Sequence, residues 1–503
     1  MSGITNSLRD KEYRFDTQQD SIPDKQIKET KFVEVVIIGA GIAGLTAAVS
    51  AAEAGARTIL LEKGDTFHVR GLHNAALNSR LQKEVGIRVD KERVIATIME
   101  FGQYRGDQRL VKLWADHCDE TMDWLLDMAK EAKVEVVLDL TTKDWYFPNY
   151  PLIHVFIPDR QNTLAQMLLE KGRSLGVEYR FEMPAVRLLR EANGRVAGVI
   201  ARDRDGNYLK YMAEKGIVLC TGDYGNDREM LLRYCNWLPE DLKVEYDPPV
   251  NTGDGHKMAL QVGAAIDEIP HCPMLFDFAT FNKQGIFNLA RQPWLYVNAR
   301  GERFMNEDLP WGYECNQILR QPGRFAWSIW DAKYPEEVPL MRSQCCKNMG
   351  PPTYLCSQSQ LDHAVEKGYV LVAQSIEELA EKMGIQVESF KATVVRYNEL
   401  ARSGKDRDFG KHPDRLTTIE KPPFYACKME VRLMVVLSGL KVNTRLKVLD
   451  TDGLPIPGLY AAGNVSGSFF GGGAYSTTTP GVTHSRAWTF GRLAGRNAAA
   501  EKQ

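Results

Sequence analysis

Residues 33–64, VEVVIIGAGIAGLTAAVSAAEAGARTILLEKG, decide how the rest of the chain is read. Val33, Val35, Val36, Ile37 and Ile38 form a short run rich in β-branched residues, the pattern of a strand buried on both faces. Gly39, Gly41 and Gly44 follow at G-x-G-x-x-G spacing. The first glycine permits a tight turn, the second lets backbone approach a pyrophosphate, and the third lets helix and strand pack closely. Leu45, Ala48, Val49 and Ala52 give the ensuing helix an apolar face, and Gly55 stops it. Its N-terminus, with unpaired N–H groups and the positive end of the helix dipole, is a ready anion site. Thr58 to Leu61 is a second strand, and Glu62 ends it where a carboxylate can accept hydrogen bonds from both ribose hydroxyls and repel a 2′-phosphate. Strand, spacing, helix, second strand and acid together predict a bound dinucleotide.

With 503 residues, 44% of them apolar, the chain has room for two or three domains. Its net charge of −2 speaks against nucleic acid or an acidic membrane surface as partner. Nine cysteines lie scattered without C-x-x-C or C-x-x-C-H, so the sequence points to no zinc knuckle, iron–sulfur cluster, c-type haem or other metal centre. The odd count suits a reducing cytoplasm. Residues 1–31 are polar, without an apolar signal core or twin arginine, and no stretch approaches 18 uninterrupted apolar residues. A cytoplasmic protein with a loose or partner-bound N-terminal tail and no membrane span is expected.

Residues 65–78 are polar and turn-like and should pass near the cofactor. Residues 94–132 carry helical periodicity, as do 161–175. Residues 177–181, 185–190 and 196–202 alternate like strands, with Asn193-Gly194 as a hairpin turn. Gly216 to Cys220 is a buried strand running into a second glycine turn, and Thr252-Gly253-Asp254-Gly255 opens a helix to Gly263. Composition changes near residue 266. From there to about 404 the chain is rich in tryptophan, proline and cysteine, with helices at 375–384 and 387–402. Strand-like segments return at 440–442 and 446–449, and Pro457 to Gly463 ends in a third glycine turn. A final helix is predicted from Gly481 to Ala499, with Thr479 as its cap and Pro480 at its entry. The domains expected are a tail (1–31), a nucleotide-binding domain in two segments (32–265 and 405–503) and a capping domain between them (266–404).

These motifs occur in a recognisable order. Gly39 to Gly44 with Glu62-Lys63, Leu219 to Gly222 with Tyr224-Gly225-Asn226, Thr252 to Gly255, Val297-Asn298 with Gly301, Arg303-Phe304 and Asn306-Glu307, Pro423 to Ala426, Pro457 to Gly463 and Thr489 to Gly495 resemble the flavoprotein of the fumarate reductase and succinate dehydrogenase superfamily. The resemblance covers residues 32–498. It implies an α/β fold: a Rossmann-like FAD-binding domain of glutathione-reductase-type topology, with an inserted α+β cap. The expected FAD-binding residues are Gly39, Gly41, Ile42, Ala43, Gly44, Glu62 and Lys63. To these the resemblance adds Gly71, Asn74, Ala185, Val186, Thr221, Gly222, Asp254, Gly463 and Asn464. Pro480, Gly481 and Val482 would face the pyrimidine end of the isoalloxazine, where a helix N-terminus favours the reduced, anionic flavin. His73 is similar to the histidine that succinate dehydrogenases join to FAD, but its spacing is imperfect and non-covalent binding is expected.

The chain departs from fumarate reductases at the residues that hold substrate carboxylates. Leu433 to Gly439 contains no histidine, Ser468 to Ser476 contains no arginine, and Asp308-Leu309-Pro310-Trp311 stands where an arginine follows Asn-Glu. Two buried carboxylates without cationic partners would cost several kcal/mol. Residues 461–489 instead resemble ketosteroid dehydrogenases of the same superfamily. In that likeness Tyr475 hydrogen-bonds a substrate carbonyl, and the Gly481 N–H assists. Phe469, Phe470, Trp294, Tyr296, Trp311 and Tyr313 would supply an apolar wall if they converge.

Each candidate has a structural alternative: a loop hydrogen bond for Tyr475, core positions for Tyr296 and Tyr313, and a cap-stabilising ion pair for Arg303 and Glu307 in place of a proton relay. His484 and Arg486 face either flavin or solvent, and Cys345 and Cys346 are packing thiols. The activity expected is hydride transfer between flavin N5 and a carbon–carbon bond beside a carbonyl, as in reduction of an apolar enone or ketosteroid-like compound, or the reverse dehydrogenation. The alternatives are a reductase of an unsaturated carboxylic acid, if Arg303 or Arg486 replaces the missing cations, and an electron-transfer subunit without organic substrate. No nicotinamide fold is evident, so electrons come from a separate donor, a redox protein or NADH.

Overall fold

A computed structural model describes residues 22–139, 150–245, 249–279, 289–341 and 357–502. The glycine-rich stretch folds as its sequence predicts. β1 (Ile27–Ile38) leads through the turn into α1 (Ile42–Glu53) and β2 (Thr58–Leu61). β1 starts at Ile27, earlier than its apolar run, because its polar first half pairs in parallel with Tyr208–Leu219. The apolar second half, Val35 to Ile38, is buried. Five strands run parallel in this eight-stranded sheet: Glu178–Arg180, β2, β1, Tyr208–Leu219 and Pro455–Ala461. Their carboxyl ends lie on one side, where open α/β sheets bind ligands.

α1 is crossed by the C-terminal helix, Val482–Ala499. Small residues set their spacing: a Cβ on Gly491 would sit 2.4 Å from the Ala43 carbonyl oxygen, and one on Gly495 would sit 2.2 Å from that of Ala47. The helix is entered differently from the sequence expectation. Gly481, at φ +81°, is its cap residue, and the Thr479 hydroxyl donates instead to the Ser476 carbonyl. The predicted hairpin forms between Ala185–Arg190 and Val196–Arg202.

A second, six-stranded sheet is built around the 13-residue strand Phe424–Val436, which pairs with Lys243–Val244, Pro273–Ala279, Phe325–Asp331 and Val370–Ala373. Its central strand and the short Lys243–Val244 lie outside residues 266–404, so the sheet does not begin or end where composition changes. The predicted helices of this region are Ile376–Met383 and Val387–Arg402. Among the described residues no helix is long and apolar enough to cross a membrane.

Candidate active site

An open cleft runs across the carboxyl ends of the parallel strands. Its floor is the glycine turn. A Cβ on Gly39 would meet the Cys220 carbonyl oxygen at 2.4 Å, and one on Gly44 the Gly39 oxygen at 1.8 Å, so these two glycines serve chain packing. A Cβ on Gly41 would meet nothing nearer than 3.9 Å. That open side of Gly41, beside the first N–H groups of α1, leaves room for a diphosphate.

Glu62 stands at one end. Its carboxylate accepts the Ala40 N–H at 2.7 Å on one oxygen and the Gly64 N–H at 2.8 Å on the other. Each oxygen keeps a lone pair for a ribose hydroxyl. Beside it Lys63 donates to Asp254 at 2.7 Å and to Thr252 at 2.9 Å, tying the second strand to the Thr252–Gly255 turn. The Thr221 hydroxyl, on a residue lining the cleft, is buried without a protein partner. These features fit FAD: a ribose-binding acid, a diphosphate turn and an orphaned hydroxyl along one channel.

Of the residues expected to hold FAD, Gly39, Gly41, Ile42, Ala43, Glu62, Lys63, Gly71, Ala185, Thr221, Gly222, Asp254, Gly463 and Asn464 line the cleft. Gly44, Asn74, Val186, Pro480, Gly481 and Val482 are not among its lining residues. Asn74 is instead a buried clamp: its amide oxygen accepts from Gln161 at 3.1 Å and from the Trp488 indole at 3.2 Å. Gly481 is pressed against the chain at His73 and Ala75, where a Cβ would come within 2.9 Å of backbone.

The far end of the cleft is closed by residues that sequence reasoning did not assign: Met274, Met434 and Val435 from the second sheet, and Thr483 and Ala487 from the C-terminal helix. Arg70 also lines it and donates to the carbonyls of Glu245 and Met434, both at 2.8 Å. His484 faces the cleft and donates through Nδ1 to the His73 carbonyl at 2.9 Å; burial pulls its pKa down to about 4. His73 itself is not a lining residue.

The catalytic candidates divide into two groups. Tyr475 is packed between Trp311, with ring centroids 5.7 Å apart, and Phe470, at 5.6 Å. Trp311 lies on Phe276 at 4.1 Å, and Phe469 meets Phe470 at 4.7 Å. Tyr313 stacks on Phe101 at 5.5 Å. In the three residues after Tyr475 the hydroxyls of Ser476, Thr477 and Thr478 are buried without partners, as is the Trp311 indole N–H. Arg486 joins this group to the cleft: it donates to the Gly463 carbonyl at 3.3 Å and to Asn464 Oδ1 at 3.0 Å, and stands over the rings of Phe469 and Phe470.

Tyr296, Arg303 and Glu307 sit elsewhere and are not among the residues that line the cleft. Tyr296 is fully buried in the core of the second sheet, donates to the Ala290 carbonyl, and burial holds its pKa well above the ordinary phenol value. Trp294 belongs to the same core. Arg303 grips Glu307 at 2.8 and 2.9 Å and Asp406 at 2.8 and 3.1 Å, between the rings of Tyr397 and Phe409. Lys411, also buried, completes the network 3.3 Å from Glu307. Arg303 donates through Nε, Nη1 and Nη2, and each of these bonds goes to Glu307 or Asp406. Cys345 and Cys346 lie outside the described residues.

The profile of the family described as FAD binding domain matches residues 34–477. A vinyl phenol reductase from Lactiplantibacillus plantarum is 30% identical over 492 residues, covering 93% of this chain and 96% of the relative. The open form of a flavocytochrome c3 fumarate reductase is similar in structure, with TM-score 0.73 and 25% identity over 97% of this chain and 82% of that one. A 3-ketosteroid delta1-dehydrogenase from Sterolibacterium denitrificans shares the fold, with TM-score 0.75, 20% identity, and 94% and 100% of the two chains covered. The cleft, its ribose-binding acid and its glycine turn, joined to these likenesses, place the chain in the FAD-binding-domain family, as an FAD-dependent oxidoreductase acting on carbon–carbon bonds.

Proposed function

We propose that the chain reduces a neutral, largely apolar alkene conjugated to a carbonyl or to a hydroxylated aromatic ring. The observation that carries this reading is the cluster of Phe276, Trp311, Phe470 and Tyr475, followed in the chain by unpartnered hydroxyls at Ser476 to Thr478. Flat rings suit a flat conjugated substrate. Hydroxyls left unsatisfied in the protein suit a substrate that brings one or two polar atoms of its own.

Bound FAD supplies the two-electron chemistry. The chain's residues do the rest: the aromatic rings would orient the alkene and exclude water, and with an enone the Tyr475 hydroxyl would donate to the carbonyl oxygen that takes up negative charge as hydride arrives at the β-carbon. A proton would then add at the neighbouring carbon of the enone. With a vinylphenol the terminal carbon would gain a proton as the phenol loses one, and hydride would then reach the benzylic carbon and return the charge to the phenolic oxygen facing Tyr475. The vinyl phenol reductase relative, whose named substrate class is an aromatic alkene, supports the same class here.

An unsaturated carboxylic acid is disfavoured by how the candidate cations are used. Arg303 is committed to Glu307 and Asp406, Trp311 follows the Asn-Glu of the cap, and Arg486 donates to main-chain carbonyls. The electron donor is a separate redox protein or NADH. Anaerobic reoxidation of the reduced holoenzyme by 4-vinylphenol or a cyclic enone, but not by fumarate, supports the proposal; reoxidation by fumarate alone refutes it.

A further inference from the structure

Among the described residues three arginines are fully buried: Arg291, Arg415 and Arg486. A guanidinium taken out of water needs an opposite charge beside it. Arg291 has Asp277 at 2.9 Å, and Arg415 is paired with Asp308. No ion pair joins Arg486 to a carboxylate among the described residues. Its Nη1 donates to the Ser466 carbonyl at 3.3 Å, its Nη2 to the Gly463 carbonyl at 3.3 Å and to Asn464 Oδ1 at 3.0 Å, and its Nε has no acceptor. Phe469 and Phe470 fill the space around it, with ring centroids 5.5 and 5.4 Å from the guanidinium carbon.

The acid that acts on Arg486 electrostatically, Asp267, is a weak counter-charge. It is buried, its oxygens already accept from the N–H groups of Gly439 and Ser468 and from the Ser468 hydroxyl, and burial pushes its pKa up. Arg486 also lies near the positive end of its own helix, which offers it no compensation. Burial pulls its pKa down only to about 10, so it is charged at neutral pH.

The place of this charge is informative. Gly463 and Asn464 line the cleft. Glu62 would hold the ribose and the Gly39–Ala43 turn the diphosphate, so the isoalloxazine of an extended FAD would fall among the remaining lining residues, Met274, Met434, Thr483 and Ala487 with the Gly463–Asn464 turn that Arg486 holds. Reduction adds two electrons and one proton to oxidised FAD, leaving one new negative charge.

We infer that Arg486 is the resident counter-charge for reduced FAD, raising the flavin potential without touching the reacting atoms. It is a positioning residue, acting through the Gly463–Asn464 turn and through space. The inference rests on FAD binding and is independent of which alkene is reduced.

The test compares wild-type holoenzyme with Arg486→Gln and Arg486→Lys. Flavin potential is read against reference dyes from pH 6 to 8, and the affinity of apoprotein for oxidised FAD is measured separately. In Arg486→Gln the ratio of reduced to oxidised flavin at a fixed potential falls at least tenfold, which for a two-electron couple is about 30 mV. Affinity for oxidised FAD changes less than the potential does, and uptake on reduction rises from one proton to two because the anion has lost its partner. Arg486→Lys keeps the charge and most of the potential. If Arg486→Gln does not fold, Arg486→Lys decides: it breaks the forked contacts, so a potential close to wild type despite lower thermal stability supports the inference. An unchanged potential in Arg486→Gln overturns it. Loss of oxidised-FAD affinity would then assign the charge to the diphosphate, and loss of acrylate turnover alone would assign it to a substrate carboxylate.

Discussion

Replacing Glu62 by glutamine removes one charge and one acceptor from a residue whose geometry is fully specified. Both carboxylate oxygens are in use, accepting the Ala40 N–H at 2.7 Å and the Gly64 N–H at 2.8 Å, and each retains a lone pair toward the cleft. A glutamine amide has one oxygen and an NH2 that accepts nothing. One of the two backbone N–H groups therefore loses its partner, which costs the apoprotein about 1–3 kcal/mol. One ribose hydroxyl loses its acceptor as well, and a hydrogen bond to a charged group is worth roughly 1.5–3 kcal/mol. At about 1.4 kcal/mol per decade, the FAD dissociation constant rises roughly 10- to 150-fold. Titration of apoprotein by quenching of FAD fluorescence, with thermal unfolding alongside, separates the two effects. A dissociation constant within threefold of wild type, accompanied by a lower melting temperature, would show that Glu62 only ties the turn and would refute its role in ribose binding.

Arg303→Met leaves Glu307 and Asp406 buried without their shared cation, so stability falls by about 3–5 kcal/mol in denaturant unfolding. FAD affinity stays as in wild type, because the network lies away from the cleft; a pH-dependent loss of turnover with unchanged stability would restore the proton-relay reading. Tyr475→Phe keeps the packing against Trp311 and Phe470 and lowers kcat/KM for an enone roughly 100-fold if its hydroxyl stabilises the developing charge; an effect below threefold assigns the hydroxyl to the loop. Gly491→Ala drives a Cβ to 2.4 Å from the Ala43 carbonyl oxygen and separates the two helices that carry the cleft, so both melting temperature and FAD affinity drop together. Four histidines whose pKa burial lowers set the acid limb of stability. Burial pulls His154, His271 and His484 down to about 4 and His256 to about 3, below the unfolded value near 6.5. His154 accepts the Ser79 hydroxyl, and His271 the Tyr224 hydroxyl, on the nitrogen that protonation would occupy. The unfolded chain binds more protons, so stability is whole above pH ~6.5 and declines as pH falls toward ~4, with close to one proton taken up per histidine on unfolding at pH ~5. Flat stability between pH 7 and 5 would contradict these environments.

What was legible in the sequence is what local spacing determines. The run from Val33 to Glu62 encodes its own strand, turn, helix and strand, since Gly39 and Gly44 meet steric demands set within a few residues or by the chain at Cys220. The hairpin at Asn193-Gly194 and the helices Ile376–Met383 and Val387–Arg402 were legible for the same reason. Long-range pairing was not. Nothing in Phe424–Val436 says that it returns to the second sheet, because its alternating burial would suit either sheet. The cap of the last helix was misplaced because Thr479 is a good cap residue by type, whereas Gly481 is imposed by close contact with His73 and Ala75. Tyr296 and Tyr475 are the same residue type in apolar surroundings, and only tertiary structure separates a core position from one beside orphaned hydroxyls. Arg486 reads in the sequence as a helix residue that faces either flavin or solvent. Its lack of a carboxylate partner is a property of the fold.

The central claim is that the aromatic cluster around Tyr475 receives a neutral conjugated alkene beside bound FAD. Dithionite-reduced holoenzyme, mixed anaerobically with 4-vinylphenol, a cyclic enone and fumarate in turn and followed by flavin absorbance, tests it most directly. The account predicts rapid reoxidation by at least one neutral alkene and none by fumarate; rapid reoxidation by fumarate with no response to the neutral compounds would contradict it.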